Sequence, residues 1–564
     1  MDVRALPLLV ACTLLAGCPE AKDGGARTDP APVDSAAPTG TGTESGEDVV
    51  AAAAFADAAP SDGTPKRGGT LVWGRGADAV SLDPADVTDG ESVKAVEALF
   101  DTLVRYKPGS TEVEPALATA WEMSEDRKTW TFTLREGVKF HDGTPLDADA
   151  VVFSFERQRD PEHPFHQGEF VYWLDQFSFV TKVEKKDAKT VVFTLDRPFV
   201  PFLTNLAMFT ASIVSPAAFE KAKAAGETFS SAPAGTGPFK LVEWRRGDAI
   251  VLEAFDEHWG GRPNLDRLVL RTIPDNNSRL MLLQKGDLHG MDGLNLADVK
   301  VAAAAKDVTV LAQPGMNVAY MAFNTQKKPF DDPRVRQACA LALDLERVAS
   351  RIYYGLATPA ANPLPPTVFG HNDALKPRKA DREAAKRLLA EAGHPEGFKT
   401  TLWTMTNPRP YLPQPDKMAQ YVKSALGQIG VEVTIVPKEW ASYLEEVQKA
   451  EHELCFMGWI GDTGDPDNFL YVLLDKDNAR VGSASNYSFY VDETVHDLLG
   501  RARVEADRDA RAKLYHQAQQ KIFDDVPMVP LAHTTQVAAV RASVRAFRLH
   551  PTGVLDFRHA WLAE

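Results

Sequence analysis

Two hydrophobic periods alternate along this chain, and their order predicts its elements. A first apolar run, Leu6 to Leu15, is too short to span a bilayer. Residues 19–65 then carry almost no large apolar side chains and are rich in Ala, Gly, Thr, Pro, Ser and Asp. Such a stretch cannot bury enough surface to fold, so a disordered tether is expected. Patterned sequence starts near Lys66. Gly69 to Trp73 reads as a strand, and Ser81-Leu82-Asp83-Pro84 as a turn. Ser92 to Leu103 reads as a helix with Val93, Val96, Leu99, Phe100 and Leu103 on one face. Alternation at period two predicts strands at Thr129–Leu134 and Thr190–Leu195, with a helix from Asp147 to Arg157 between them. Val138 to Leu146 reads as a strand running into a Gly/Pro turn. Gly235 to Leu241 is a turn leading into a strand. Leu265 to Ile273 is a further strand, and Asn277 to Lys285 a helix ending before Gly286.

From about Gln313 the texture changes. Val318 to Asn324 is a strand, and Asp332-Pro333 caps a helix running through Leu343. Asp381 to Ala392 is a helix closed by Gly393. Then come a strand (Lys399 to Met405), a stiff loop (Pro408-Arg409-Pro410-Tyr411), a helix (Met418 to Gln428) and a strand (Gly430 to Val436). A helix (Trp440 to Lys449) and a strand (Leu454 to Ile460) complete the series. That order predicts a mostly parallel sheet with helical crossovers, in which ligands bind at the carboxyl ends of strands. A long helix, about Val504 to Phe523, precedes extended chain from Pro527 to Val540 that returns toward the first domain.

Composition narrows the classes. The 564 residues exceed one hydrophobic core, so at least two domains are expected. A formal net charge of −16 argues against a nucleic-acid partner. Cys12 and Cys18 fall in the leader, leaving Cys339 and Cys455 as buried thiols or as a pair, the first being favoured. Residues 1–18 read as a secretory signal ending in Leu15-Ala16-Gly17-Cys18, which resembles the bacterial lipobox. Cys18 is therefore the expected lipidation site, and the tether after it would hold a globular body about 35–40 Å off the membrane.

The candidate chemistry lies in two loops at strand ends. Met457-Gly458-Trp459-Ile460-Gly461-Asp462 leads into Thr463-Gly464-Asp465-Pro466-Asp467-Asn468-Phe469. A tryptophan beside a carboxylate suits a cationic group, because the ring gives area and the carboxylate gives charge-assisted hydrogen bonds. Arg409, between two prolines, offers a fork for a carboxylate. Together they would match a zwitterion such as a short peptide. An ordinary acidic turn, a surface arginine, or an ion pair between the two would produce the same sequence. Asp465, Asp467 and Asn468 loosely suggest calcium ligands, but their spacing does not fit an EF-hand, and they are assigned to holding the turn. No G-x-S-x-G, H-E-x-x-H, Walker A or Rossmann fingerprint is present.

Several runs carry a family resemblance: Leu117-Ala118-Thr119-Ala120-Trp121-Glu122, Trp130 to Gly143, Gly235-Thr236-Gly237-Pro238-Phe239, and Phe330 to Ala338. The most specific are Arg409-Pro410-Tyr411 and Gly458 to Phe469. On these, the stretch from Lys66 to Glu564 resembles the peptide/nickel/oligopeptide extracellular solute-binding proteins of ABC importers, and within them the dipeptide-binding branch. The resemblance implies an α/β, two-lobed periplasmic-binding-protein-like fold with a hinge, of the larger cluster-C type with an extra subdomain. Lobe I would span 66–314 plus 533–564, with a subdomain inserted at about 100–230, and lobe II 315–532. It implies that Asp462 holds a peptide's α-amino group and Arg409 its carboxylate. Trp459, Tyr411 and Gly461 would line the site, and Thr88 and Gly90 would touch the peptide from the first lobe. The Asp89-Gly90-Glu91 turn is more acidic than the branch leads one to expect, which points to basic ligand side chains. The implied function is a lipid-anchored, monomeric, cofactor-free receptor at the periplasm or cell surface. It captures dipeptides or short peptides and delivers them to a permease driven by an ATPase. The same fold binding oligopeptide, haem or a nickel chelate is the alternative, and an exported peptide hydrolase a remote one.

Overall fold

The computed structural model describes residues 55–563. The signal segment, Cys18 and most of the expected tether lie outside them. The last part of that stretch differs from expectation, because residues 55–60 are packed on the body. Ala59 is buried, its N–H donates to Phe547 O at 2.7 Å, and Ala56 and Ala58 form bridges with Leu311 and Arg548. Small alanines permit this close backbone approach, which composition alone could not distinguish from coil.

The main sheet has ten strands along its path. At one end lie Val431–Lys438, Phe398–Met405, Leu454–Ile460 and Asn317–Phe323. At the other lie Gly290–Asp292, Thr70–Arg75, Arg267–Thr272, Ala249–Ala254 and Phe239–Arg245. Met528–Arg541 joins the two. Its first residues pair with Asn317–Phe323, and its last pair with Gly290–Asp292 and Val308–Pro314. A bulge at Ala319/Tyr320 accompanies the crossing. The expected mostly parallel sheet is a mixed one: Thr70–Arg75 runs parallel to both Arg267–Thr272 and Gly290–Asp292, and the strands beyond those are antiparallel. Phe398–Met405 runs parallel to both Val431–Lys438 and Leu454–Ile460, whereas Asn317–Phe323 is antiparallel to its neighbours.

A separate antiparallel sheet is made by Ala118–Met123, Thr129–Leu134, Thr190–Leu195 and Val180–Asp187, in that order. Helix Ala148–Arg159, capped by the Asp147 side chain on Ala150 N–H, packs against it. The hydrophobic cores follow this division. One draws all its buried members from Met316 to Ala532, and another from Ala85 to Ile213.

Some local readings change. Val138–Leu146 forms a turn with a single bridge, Lys139 to Pro145, because its glycine and proline fall too close together for a ladder. The expected long helix, about Val504 to Phe523, is Arg508–Asp525, and a separate helix that was not expected, Glu493–Val504, precedes it. Asp507 starts the long helix by accepting from Ala510 N–H. Cys339 and Cys455 are both buried free thiols. Among the described residues no helix is long and apolar enough to cross a membrane.

Candidate functional site

Parallel pairing decides where the two candidate charges go. Leu402 pairs with Leu454 and Trp403 with Cys455, so Phe398–Met405 and Leu454–Ile460 end on the same side of the sheet. The loop after the first carries Arg409, and the loop after the second carries Asp462. The first loop closes tightly: Arg409 and Leu412 exchange both backbone hydrogen bonds, at 3.1 and 2.9 Å. The Arg409 guanidinium lies over the Trp440 ring, with Cζ 3.6 Å from the centroid. Its Nε is buried and has no hydrogen-bond partner among the described residues. A cation held over an aromatic face with a donor unused is set up to receive an anion. Arg409 and Asp462 do not pair with one another among the described residues.

Asp462 is fixed by its own turn. Asn468 Oδ1 accepts from Asp462 N–H at 2.9 Å and from Trp459 Nε1 at 3.0 Å, while Asn468 Nδ2 donates to Asp462 Oδ2 at 3.3 Å. One amide thus holds the carboxylate and the tryptophan together. Tyr172, from the four-stranded-sheet region, donates to Asp462 Oδ1 at 3.3 Å. Burial pushes the Asp462 carboxyl up to about 6, partly offset by the bonds from Asn468 and Tyr172. A desolvated carboxylate short of positive partners gains by meeting a cation.

The turn behind it is anchored deep in the protein. Asp465 accepts two bonds from Arg511, at 2.6 and 2.7 Å, and both side chains are buried. Asp467 lies 3.1 Å from Arg503. These acids therefore hold the loop through buried ion pairs rather than as solvated turn residues. The carboxylates that sequence could read as calcium ligands already have cationic partners.

Glycines set how closely the parts approach. A Cβ on Gly458 would fall 2.2 Å from the Tyr411 ring, so Tyr411 lies directly on the strand that carries Trp459. A Cβ on Gly461 would strike the Phe469 ring at 2.6 Å. Gly461 N–H donates to Met316 O at 2.8 Å, so this residue serves packing and the turn.

Thr88 is exposed, and a Cβ on Gly90 would meet nothing within 4 Å. Open space at Gly90 means that no close backbone contact requires a glycine there. The acidic turn around it is engaged locally. Asp89 caps helix Gly90–Leu99 through Glu91 and Ser92 N–H. Glu91 pairs with Lys94 at 2.8 Å, and Lys94 also pairs with Asp292. Asp89 and one oxygen of Glu91 are thus engaged within the lobe, while Glu91 Oε2 is buried with no hydrogen-bond partner among the described residues.

Between the two halves of the main sheet lies a cleft of about 630 Å³. Pro408, Pro410 and Ile460, flanking the two site loops, border it together with Asp292 and Thr552. Asn468 holds the turn as expected. Sequence reasoning missed Trp440, Tyr172 and Arg511, which reach the site from other elements and carry no local signal.

Two halves joined through shared strands, with a cleft at the strand ends, define a two-lobed periplasmic binding protein of cluster C. The model of the middle region of bacterial extracellular solute-binding proteins, family 5, matches residues 112–480. The chain belongs to this family, which is one of solute-binding transport proteins and not of enzymes. It is 38% identical over 504 residues to the dipeptide-binding protein of Escherichia coli K12, covering 87% of this chain and 94% of that protein. It is 39% identical over 498 residues to heme-binding protein A of Haemophilus influenzae, covering 86% and 90%. Among solved structures, HbpA2 from Haemophilus parasuis superposes with a TM-score of 0.84 at 35% identity, over 88% of this chain and 100% of that one. DppA from Helicobacter pylori, in complex with the peptide STSA, superposes at 0.73 with 38% identity, over 89% and 99%.

Proposed function

We propose that the protein captures dipeptides and hands them to the permease and ATPase of an ABC importer. Asp462 receives the peptide ammonium and Arg409 its carboxylate. Trp459 and Tyr411 form walls, and the segments around Gly461, Thr88 and Gly90 lie along the peptide. The observation that carries this reading is the pair of incompletely satisfied opposite charges at neighbouring strand ends. One is a carboxylate pushed up to about 6 by burial, the other a guanidinium with an unpartnered Nε. A zwitterion satisfies both, whereas one charge without the other leaves a group buried and unpaired. Residues 315–532 act as the lobe that closes on residues 66–314 and 533–564, shifting from open to closed as ligand binds. The protein works as a monomer outside the cytoplasmic membrane, held there through lipid on Cys18. Mass measurement of the mature N-terminus tests the lipid.

Haem is the second reading, favoured by the resemblance to heme-binding protein A of Haemophilus influenzae. Calorimetry with Ala-Phe, N-acetyl-Ala-Phe, Ala-Phe-amide and haem separates the two. The dipeptide reading expects only the uncapped peptide to bind tightly. Haem binding with no response to Ala-Phe would replace it.

A further inference from the structure

Beside the Asp462 loop lies a second cavity, of about 110 Å³, walled by residues outside the Met316–Ala532 core. Two of its aromatic walls touch that loop or its partner. Tyr106 Oη accepts from Gly464 N–H at 3.1 Å. Phe209 packs edge-on against Tyr172, which donates to Asp462. Leu549 and Leu555 border both this cavity and the larger cleft. With a peptide's ammonium at Asp462, the side chain of its first residue has this cavity as a neighbour.

The charged groups lining the cavity are Glu97, Asp101, Arg105, Arg548, Asp556 and Arg558. All but one are engaged. Arg558 forks onto Asp556 at 2.9 and 2.7 Å. Arg105 pairs with Glu114 and Arg548 with Asp57, each at 2.8 Å. Asp101 accepts from Thr236 and Trp259 at 2.9 and 2.8 Å, with His258 Nε2 at 3.7 Å. His550, also on the wall, bonds the carbonyls of Lys107 and Ser110. Glu97 makes neither a hydrogen bond nor an ion pair among the described residues; its neighbours are the charges of Asp556 and Arg558.

We propose that this cavity receives the side chain of the peptide's first residue and that Glu97 selects a cationic one, lysine or arginine. The inference rests on the reading of Asp462 as the ammonium anchor. A carboxyl group facing an aromatic-walled cavity is satisfied by an incoming ammonium or guanidinium and left unpaired by an apolar chain. Burial pushes Glu97 up to about 8, so in the free protein it carries a proton at pH 7 and loses it when the cation arrives.

Calorimetry of the purified protein with Lys-Ala and norleucine-Ala, run at pH 7 in buffers of different ionisation enthalpy, tests this. The two peptides share the same alkyl chain and differ in lysine's terminal ammonium. Lys-Ala should bind at least about tenfold more tightly and release about one more proton. In Glu97→Gln the affinity ratio should fall toward one and the extra proton should vanish. Equal affinities in the unaltered protein, or a ratio preserved in Glu97→Gln, would overturn the assignment of Glu97 while leaving Asp462 in place. Failure of both peptides to bind would overturn the Asp462 reading, and this pocket with it.

Discussion

Peptide affinity should weaken in acid through Asp462, and the size of the effect follows from its environment. The carboxyl is pushed up to about 6 by burial, so its protonation falls within an accessible range. A cationic ammonium binds the ionised form. At pH 7 about ten molecules in eleven are ionised, and at pH 5 about one in eleven. Apparent Kd should therefore rise about tenfold between pH 7 and pH 5, or about 1.4 kcal/mol, approaching one logarithmic unit per pH unit below the midpoint. The charges near Asp462 do not remove this step. Asp175 raises its pKa further, and Tyr172 and Asn468 are neutral donors already counted in it. Calorimetry with Ala-Phe from pH 4.5 to 8 gives the profile. Asp462→Asn should flatten the step and cost about 2–5 kcal/mol at pH 7, because the ammonium would be buried without a counter-charge. Asp467 is also pushed up to about 6 by burial, so Asp467→Asn is the control and should keep the step. A flat profile in the unaltered protein, or a step that survives in Asp462→Asn, would refute the role given to this carboxylate.

Further outcomes follow from the same geometry. Because the Asp462 carboxyl is raised, the native state takes up protons between about pH 4 and 6, and the ligand-free protein loses stability as pH rises through that window. Asp462→Asn should accordingly stabilise the ligand-free protein by about 1–3 kcal/mol at pH 7, with the gain fading as pH falls from about 6 to 4, as read by urea unfolding. Arg511→Ala leaves Asp465 buried without its partner, and should cost about 3–5 kcal/mol in unfolding and weaken peptide binding as the loop loosens. Gly458→Ala drives a methyl into the Tyr411 ring, and should cost about 1–3 kcal/mol and lower peptide affinity through the displaced Arg409 loop.

What the sequence could tell depended on the range of the interaction. Leu454–Ile460 was legible residue for residue, because an apolar run between Glu453 and the Gly461-Asp462 turn is a local signal. Helix starts at Asp147, Asp332 and Asp381 were legible for the same reason, since each cap bonds within three residues. The direction of Asn317–Phe323 was not legible, because antiparallel pairing to Leu454–Ile460 is decided across more than a hundred residues. Asp462 and Arg409 could be nominated as charges at strand ends. What tunes them could not be read. Trp440 under the guanidinium, Tyr172 on the carboxylate and Arg511 behind the turn all come from distant parts of the chain. At the acidic Asp89-Gly90-Glu91 turn, sequence showed the charges but not that Asp89 caps the following helix and that Glu91 pairs with Lys94.

The central claim is that Asp462 and Arg409 hold the two ends of a dipeptide. A crystal structure of the protein with Ala-Phe tests it most directly. The ammonium should lie about 2.7–2.9 Å from Asp462 and the carboxylate at similar distance from the Arg409 guanidinium. A bound peptide with either terminus elsewhere, or with its direction reversed, would contradict it.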